Sequence, residues 1–295
     1  MSRLLNPKIA MSIKNLPLAA KTTIDGYMTG INKSNVKGPG LEFSQYRSYQ
    51  PGDDLRWIDW KMFARSDRYY IRESEIETSI AVRFLIDASN SMNHFDNGYT
   101  KLDYAKYVAA SLGYLATQQG DAIGLYVFKD CEIFSLPVKN DAQHLSRFFH
   151  QLENIEAAGT FTNPVHYKNI FTEIRKRELL IFITDFYEAD GEINKLLDDL
   201  TASKHEILVF QIMGKNEMEL DYKGYAMLED LETGQTIAMN TEQSKKVYQE
   251  KLQQHLANTR TQLLDKNIYY HLLQMDQPLD EALRNFLNQR NKTTR

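Results

Sequence analysis

Residues 81–91 read AVRFLIDASNS, an apolar run that ends in an acid and two serines. The apolar part, residues 81–86, predicts a short strand that is buried on both faces. A second apolar run, Leu179 to Thr184, is followed directly by Asp185. Ligand sites in parallel sheets lie beyond the carboxyl ends of the strands, so the two acids predict a site at that edge.

The sequence around these two strands alternates between strand and helix patterns. Helices are predicted from about 104 to 120, from 141 to 152, from 241 to 264 and after 274, with another after Pro164. Strands are predicted at 122–128, 131–136, 207–213 and 268–274, with a short hairpin around 232–234. This alternation predicts an α/β fold with a mostly parallel sheet and helices on both faces.

Residues 41–72 have a different composition, with eight aromatic residues and six Arg or Lys among 32 positions. We interpret them as a module of ion pairs and buried aromatic rings packed on the sheet domain, or as a protein-docking surface. Arg56, Trp57 and Trp60 are the docking candidates, because Trp and Arg favour interface hot spots. The predicted domains are 1–79, which begins with a helix carrying Leu5, Ile9, Ile13 and Leu16, and 80–295. Packing on its own domain is the main interpretation of that helix, and membrane-surface contact is the alternative.

The composition excludes several classes of protein. Cys131 is the single cysteine, so one chain can hold neither an internal disulfide nor a cysteine-based metal cage. The net charge of −4 argues against a general nucleic-acid binder. No apolar run approaches the length of a membrane span, and Lys8 and Lys14 interrupt any signal-peptide core. We expect a cytoplasmic protein with no transmembrane segment.

Oxygen atoms dominate the residues expected at the carboxyl edge. Asp87, Ser89, Ser91 and Asp185 supply carboxylates and hydroxyls, and the loop 159–164 adds Thr160 or Thr162. Hard cations prefer such ligands, which predicts Mg²⁺ or alternatively Mn²⁺ or Ca²⁺, whereas zinc and copper favour His and Cys. A metal with few anionic ligands would accept an Asp or Glu carboxylate from a partner. The simpler alternative is that the two acids only cap the helices that follow them.

The pattern Asp87-x-Ser89-x-Ser91, a loop threonine and the later Asp185 resembles the metal-ion-dependent adhesion site of von Willebrand factor A domains. The resemblance implies that the two serines bind the metal directly and that the two aspartates anchor its surroundings. It favours Thr160, which follows a glycine as in that family, with Thr162 as the alternative.

A wider signature over about residues 38–190 resembles the domain-of-unknown-function-58 family. It comprises Gly40–Phe43, Arg47–Tyr49, Pro51–Asp54, Arg56–Trp60, Ala64–Arg65, Lys101–Ala105 and Gly120–Leu125. The resemblance implies a von Willebrand A-like domain with an N-terminal module. It also implies a role beside MoxR-type AAA+ ATPases in the assembly or activation of client proteins.

These observations predict a non-enzymatic, metal-dependent interaction protein with no catalytic residues of its own. The sequence contains no Walker A motif, so ATP hydrolysis would belong to the partner. The partner is expected to dock around the metal, with Phe95, Tyr99 and Phe161 as apolar contacts. The alternatives are a metal-dependent hydrolase or phosphatase at the same site and, more weakly, a nucleic-acid binder.

Overall fold

The computed structural model describes residues 15–32, 46–50, 53–72, 79–129, 132–161, 177–187, 191–203, 205–220, 222, 224–279 and 281–284. The helices are α1 (Leu16–Asn32), α2 (Trp60–Ser66), α3 (Lys101–Gln118), α4 (Ala142–Glu153), α5 (Glu192–Ala202), α6 (Lys215–Glu219) and α7 (Thr241–Asp265). The strands are β1 (Tyr46–Ser48), β2 (Tyr70–Arg72), β3 (Ala81–Asp87), β4 (Phe95–Asp96), β5 (Tyr99–Thr100), β6 (Ala122–Lys129), β7 (Glu132–Lys139), β8 (Leu179–Thr184), β9 (Glu206–Met213), β10 (Tyr225–Glu229), β11 (Thr236–Asn240) and β12 (Tyr269–Gln274).

Six of these strands form one sheet in the order β12-β9-β8-β3-β6-β7. The strands from β12 to β6 are parallel to their neighbours, and β7 runs antiparallel to β6 at one edge. The predicted α/β class with a mostly parallel, von Willebrand A-like sheet is therefore confirmed. The predicted hairpin partner of β6 is also present, as β7.

Successive residues of β3 face opposite sides of the sheet, as the period of a strand requires. Val82, Phe84 and Ile86 belong to a core shared with α1, α3 and α4. Leu85 belongs to a second core, which contains the apolar side of α5 and the end of α7. Helices thus cover both faces, which explains why β3 and β8 are nearly continuous apolar runs.

A buried ion pair joins β3 to the residue preceding β8. The Arg83 guanidinium donates to both carboxylate oxygens of Glu178, from Nε at 2.7 Å and from Nη2 at 2.9 Å. Its Cζ lies 4.8 Å from the centre of the Tyr126 ring, within the range of a cation–π interaction. The bidentate pair matches charge and geometry and links β3 to the start of β8.

The chain forms two compact units, a small one of residues 31–79 and a larger one of residues 1–30 with 80–295. In the larger unit, Leu16, Ala20 and Ile24 of α1 lie in the core of the sheet domain. The predicted domains 1–79 and 80–295 stay a prediction. The expected packing of residues 41–72 on the sheet stays a prediction.

The small unit contains the β1–β2 pair and α2. The side chain of Asp59 caps α2 by accepting hydrogen bonds from the backbone of Lys61 and Met62. The Phe63 and Tyr69 rings stack with centroids 4.5 Å apart. Trp60 and Tyr69 are exposed and no residue of α2 is buried, so the burial expected of the aromatic rings in this segment stays a prediction.

Three predictions lie outside the described residues: the helical pattern over residues 5–13, the helix after Pro164 and the position of Thr162. Within the described ranges, no helix is both long and apolar enough to cross a membrane.

Candidate metal site at the carboxyl edge of the sheet

The two strands that carry the predicted acids are neighbours in the sheet. β3 and β8 are parallel, with Ile86 opposite Ile183, so Asp87 and Asp185 emerge at the same edge. Both are buried, as are Ser89 and Ser91 in the loop after β3. The structure therefore brings together the four residues that the sequence predicted to share one site.

Asp87 holds the loop that follows its own strand. Its Oδ1 accepts the backbone N–H of Ser89 at 2.9 Å, and its Oδ2 accepts the hydroxyl of Thr184 at 2.7 Å. Burial raises the pKa of Asp87 to about 7, and the negative charge of Asp185 adds to this. A buried carboxylate with so high a pKa favours a nearby cation.

The serine hydroxyls form a chain that leads to the second acid. Ser89 Oγ lies 3.0 Å from Ser91 Oγ, which donates to Asp185 Oδ1 at 3.2 Å. Three side-chain oxygens, two of them neutral, are therefore lined up at the edge of the sheet. This is the donor chemistry that magnesium prefers.

Lys101, the first residue of α3, is a member of the site that its sequence pattern did not identify. Its ammonium is buried and donates to Asp185 Oδ2 at 3.0 Å and to Glu217 Oε1 at 2.7 Å. Burial works against the charge, but the two carboxylates outweigh it and raise the lysine pKa. The place of Lys101 at the start of the signature stretch Lys101–Ala105 was the signal that could have indicated this role.

The loop with the candidate threonines lies beside the serine loop. The backbone N–H of Asn90 donates to the Gly159 carbonyl at 2.8 Å, and that of Ala158 donates to the Ala88 carbonyl at 2.9 Å. These bonds hold Gly159, the residue before Thr160, beside the serine loop, and Thr160 as a metal ligand stays a prediction.

The hairpin of β10 and β11 adds a third acid that the sequence analysis missed. Its turn residue Glu232 lies close enough for the hydroxyls of Ser91 and Ser89, and the charge of Asp185, to affect its pKa. Burial is the largest influence and raises that pKa. Its Oε1 is buried without a hydrogen-bond partner.

These observations test whether the residues fit a divalent cation. The donors are all oxygen, one buried carboxylate oxygen has no partner, and burial disfavours the charge of Asp87. Over the ranges that the structure describes, no three or more His, Cys, Asp and Glu side chains are grouped closely enough to hold a metal by themselves. The residues fit a hard cation only if the serine hydroxyls take part.

The predicted partner contacts near the site need correction at two positions. Phe95 is exposed, as expected, but Tyr99 and Phe161 are buried. The Tyr99 hydroxyl donates to the Met275 carbonyl, and Phe161 packs between Phe128 and Phe182. Both rings belong to the interior, so they cannot form a free docking surface.

The docking candidates of the small unit have exposed side chains where these are described. Arg56 and Trp60 are exposed, and the Arg56 guanidinium pairs with Asp54 at 2.6 Å. The side chain of Trp57 lies outside the described set. These positions remain predictions for partner binding.

The sheet order and the helices on both faces define an α/β protein with a von Willebrand A-like fold. The family described as "Protein of unknown function DUF58" matches residues 45–260, and the chain belongs to it.

The relatives and solved structures extend over most of the chain. "Uncharacterized protein Rv1480" of Mycobacterium tuberculosis is 26% identical over 233 residues, which cover 78% of this chain and 73% of that protein. The structure of BatB from Bacteroides thetaiotaomicron is 17% identical, with a TM-score of 0.44, and covers 72% of this chain and 100% of its own. The SpRpn10 VWA domain is 11% identical, with a TM-score of 0.40, and covers 70% and 94%.

Proposed function

We propose that this protein is a non-enzymatic interaction module that binds a partner through a Mg²⁺ ion at the carboxyl edge of its sheet. The proposal is carried by one observation: Asp87, Ser89, Ser91 and Asp185 meet there, with the two hydroxyls 3.0 Å apart. When bound, the cation would supply a Lewis-acidic position for a carboxylate oxygen. The four residues would hold it, with Thr160 beside them.

The roles of the residues follow from their contacts. Asp87 holds the loop after β3 in place through Ser89 and Thr184, which orients the serine hydroxyls. Lys101 neutralises part of the charge of Asp185 and fixes that carboxylate. A cation at the hydroxyls would then carry net positive charge toward an incoming Asp or Glu.

The partner that we propose is a MoxR-type AAA+ ATPase, or a client protein that it acts on. Support comes from the resemblance of residues 38–190 to the family signature. Because the sequence contains no Walker A motif, ATP hydrolysis would belong to the partner. Mn²⁺ and Ca²⁺ are the alternative cations, and a cytoplasmic location is part of the proposal.

Co-purification with the MoxR-type ATPase of the same organism tests this function. We expect the two proteins to associate in Mg²⁺, to separate in EDTA, and to fail to associate when Ser89→Ala and Ser91→Ala are combined. Ser203→Ala, at the end of α5, is the matched control. Equal binding by the folded double variant would reject the metal site as the docking point.

The hydrolase alternative has its own measurement. We expect no turnover of p-nitrophenyl phosphate in Mg²⁺ or Mn²⁺. Turnover that is lost in Asp185→Ala would replace the interaction module by a metal-dependent phosphatase.

A further inference from the structure

The turn that joins β10 to β11 is held in a defined conformation. Asp230 Oδ1 accepts the backbone N–H of Glu232 at 2.9 Å and that of Thr233 at 3.2 Å. The N–H of Gly234, which has a φ of 70°, donates to the Asp230 carbonyl at 2.8 Å. These bonds fix the backbone on both sides of Glu232.

The same turn is attached to both loops that build the candidate metal site. Asn90, between the two serines, donates a side-chain hydrogen bond to the Leu231 carbonyl. Tyr187, two residues after Asp185, donates its hydroxyl to Asp230 Oδ2 at 2.8 Å. The residues on the N-terminal side of Glu232 are therefore bound to the loops after β3 and β8.

The turn places the carboxyl group of Glu232 close to the hydroxyls of Ser91 and Ser89, which lower its pKa, and to the charge of Asp185, which raises it. The side chain as a whole is only partly buried, but its Oε1 is shielded from solvent and has no hydrogen-bond partner. A cation between this oxygen and the neighbouring acid would offset the cost of shielding it.

We infer that Glu232 is an internal ligand of the metal site and takes the coordination position that a partner's carboxylate would use. The inference rests on the proposed function and adds to it a means of control. The partner would have to displace Glu232. Among the strands that the structure describes, β10 and β11 pair only with each other, so displacing the hairpin would break its bonds to the two loops but no bond of the six-stranded sheet.

Mn²⁺ bound to the full-length protein provides the direct test, because it reports both affinity and the number of coordinated waters. We expect Glu232→Gln to bind Mn²⁺ about tenfold more weakly. Water-proton relaxation per bound ion should rise by the contribution of about one additional water molecule, because water replaces a carboxylate. Glu229→Gln, an exposed position on β10, is the matched control and should match the wild type.

A second variant, Glu232→Ala, removes the carboxylate side chain entirely, and added acetate then tests whether a free carboxylate can replace it. Acetate at tens of millimolar should lower the water relaxation of the Mn²⁺ complex of Glu232→Ala toward the wild-type value. It should change the wild-type complex little, because Glu232 already fills the position. Thermal unfolding of each variant controls for folding.

The outcomes separate the two proposals. Mn²⁺ binding that depends on Ser89 and Ser91 but is unchanged in affinity and relaxation by Glu232→Gln would overturn the internal ligand and leave the metal site intact. Mn²⁺ binding by neither the wild type nor Glu232→Gln would overturn both. Weaker binding and higher relaxation in Glu232→Gln, with acetate acting on Glu232→Ala, would support both.

Discussion

Two groups of buried charges lie in the same sheet, and they are built differently. Arg83 and Glu178 neutralise each other through two hydrogen bonds, and each side chain is 8% exposed. At the carboxyl edge, the Lys101 ammonium pairs with Asp185 and Glu217, while burial and the charge of Asp185 raise the pKa values of Asp87 and Glu232. The first group is complete, whereas the second has an excess of negative charge.

This difference separates a structural ion pair from a ligand site. The two charges of a matched pair neutralise each other and bind no ion from solvent. Losing the pair should therefore affect folding alone. Burial, together with the charge of Asp185, raises the pKa values of Asp87 and Glu232, which favours an added cation. Breaking the ion pair should therefore lower stability without changing metal binding. Replacing a residue of the carboxyl edge should change how the protein responds to metal.

The largest effect is expected from Glu178→Gln, which leaves the Arg83 guanidinium buried without its counter-charge. We expect the free energy of unfolding in urea to fall by about 4–5 kcal/mol, while Mn²⁺ affinity of the folded protein stays unchanged. Replacing both residues, as Arg83→Met with Glu178→Leu, should recover much of the loss. A large loss of Mn²⁺ affinity in the folded single variant would mean that the two groups are coupled.

A smaller loss of about 3 kcal/mol is expected from Lys101→Met, because its partner Glu217 is partly exposed. Here Mg²⁺ should restore part of the stability, since the cation binds the folded state and supplies the missing positive charge. Urea unfolding with and without 10 mM Mg²⁺ measures this. Lys195→Met on the surface of α5 is the control, and an equal Mg²⁺ effect in both variants would refute the interpretation.

Asp87→Asn should change metal-free stability by less than about 1 kcal/mol, because the burial that raises the pKa of Asp87 already makes its charge costly. The variant should instead lose the rise in melting temperature that Mg²⁺ gives the wild type. Differential scanning calorimetry with and without Mg²⁺ measures both quantities. If the variant is strongly destabilised but its melting temperature still rises with Mg²⁺, Asp87 has a structural role and does not contribute to metal binding.

The smallest effect is expected from Arg56→Gln in the small unit. Its ion pair with Asp54 is exposed to solvent, and such pairs contribute little to folding. The urea midpoint should match that of the wild type, while the Asp54 cap on the Arg56 backbone is kept. Weaker association with the ATPase at unchanged stability would add this residue to the docking surface.

Much of the fold followed from local sequence. The apolar runs at 81–86 and 179–184 are long enough to be strands. Because they lack the alternating polar residues of a strand with one solvent-exposed face, they predicted buried parallel strands. Thr100 and Asp103 form a capping box that starts α3, and this too depends only on neighbouring residues. Asp87, Ser89, Ser91 and Asp185 were predictable because each follows one of these strands directly.

The exposure of single side chains was less predictable. Tyr99 lies in the two-residue strand β5 and Phe161 in a loop, and aromatic rings in such short surface segments suggest contact with a partner. Each instead fills space in the interior, Tyr99 against Tyr104 and Phe161 beside Phe182. Burial of a ring depends on what packs over its segment, and local sequence does not contain that information.

By itself the sequence determined the strands, the acids and hydroxyls that follow them, and therefore the chemistry of the edge. Only the tertiary structure decided which charges reach that edge from elsewhere. Lys101, Glu217 and Glu232 come from the start of a helix, a short helix and a hairpin turn that carry no ligand motif. The physical reason is that electrostatic energy depends on distance in space, and these groups meet only after the sheet and its connections have folded.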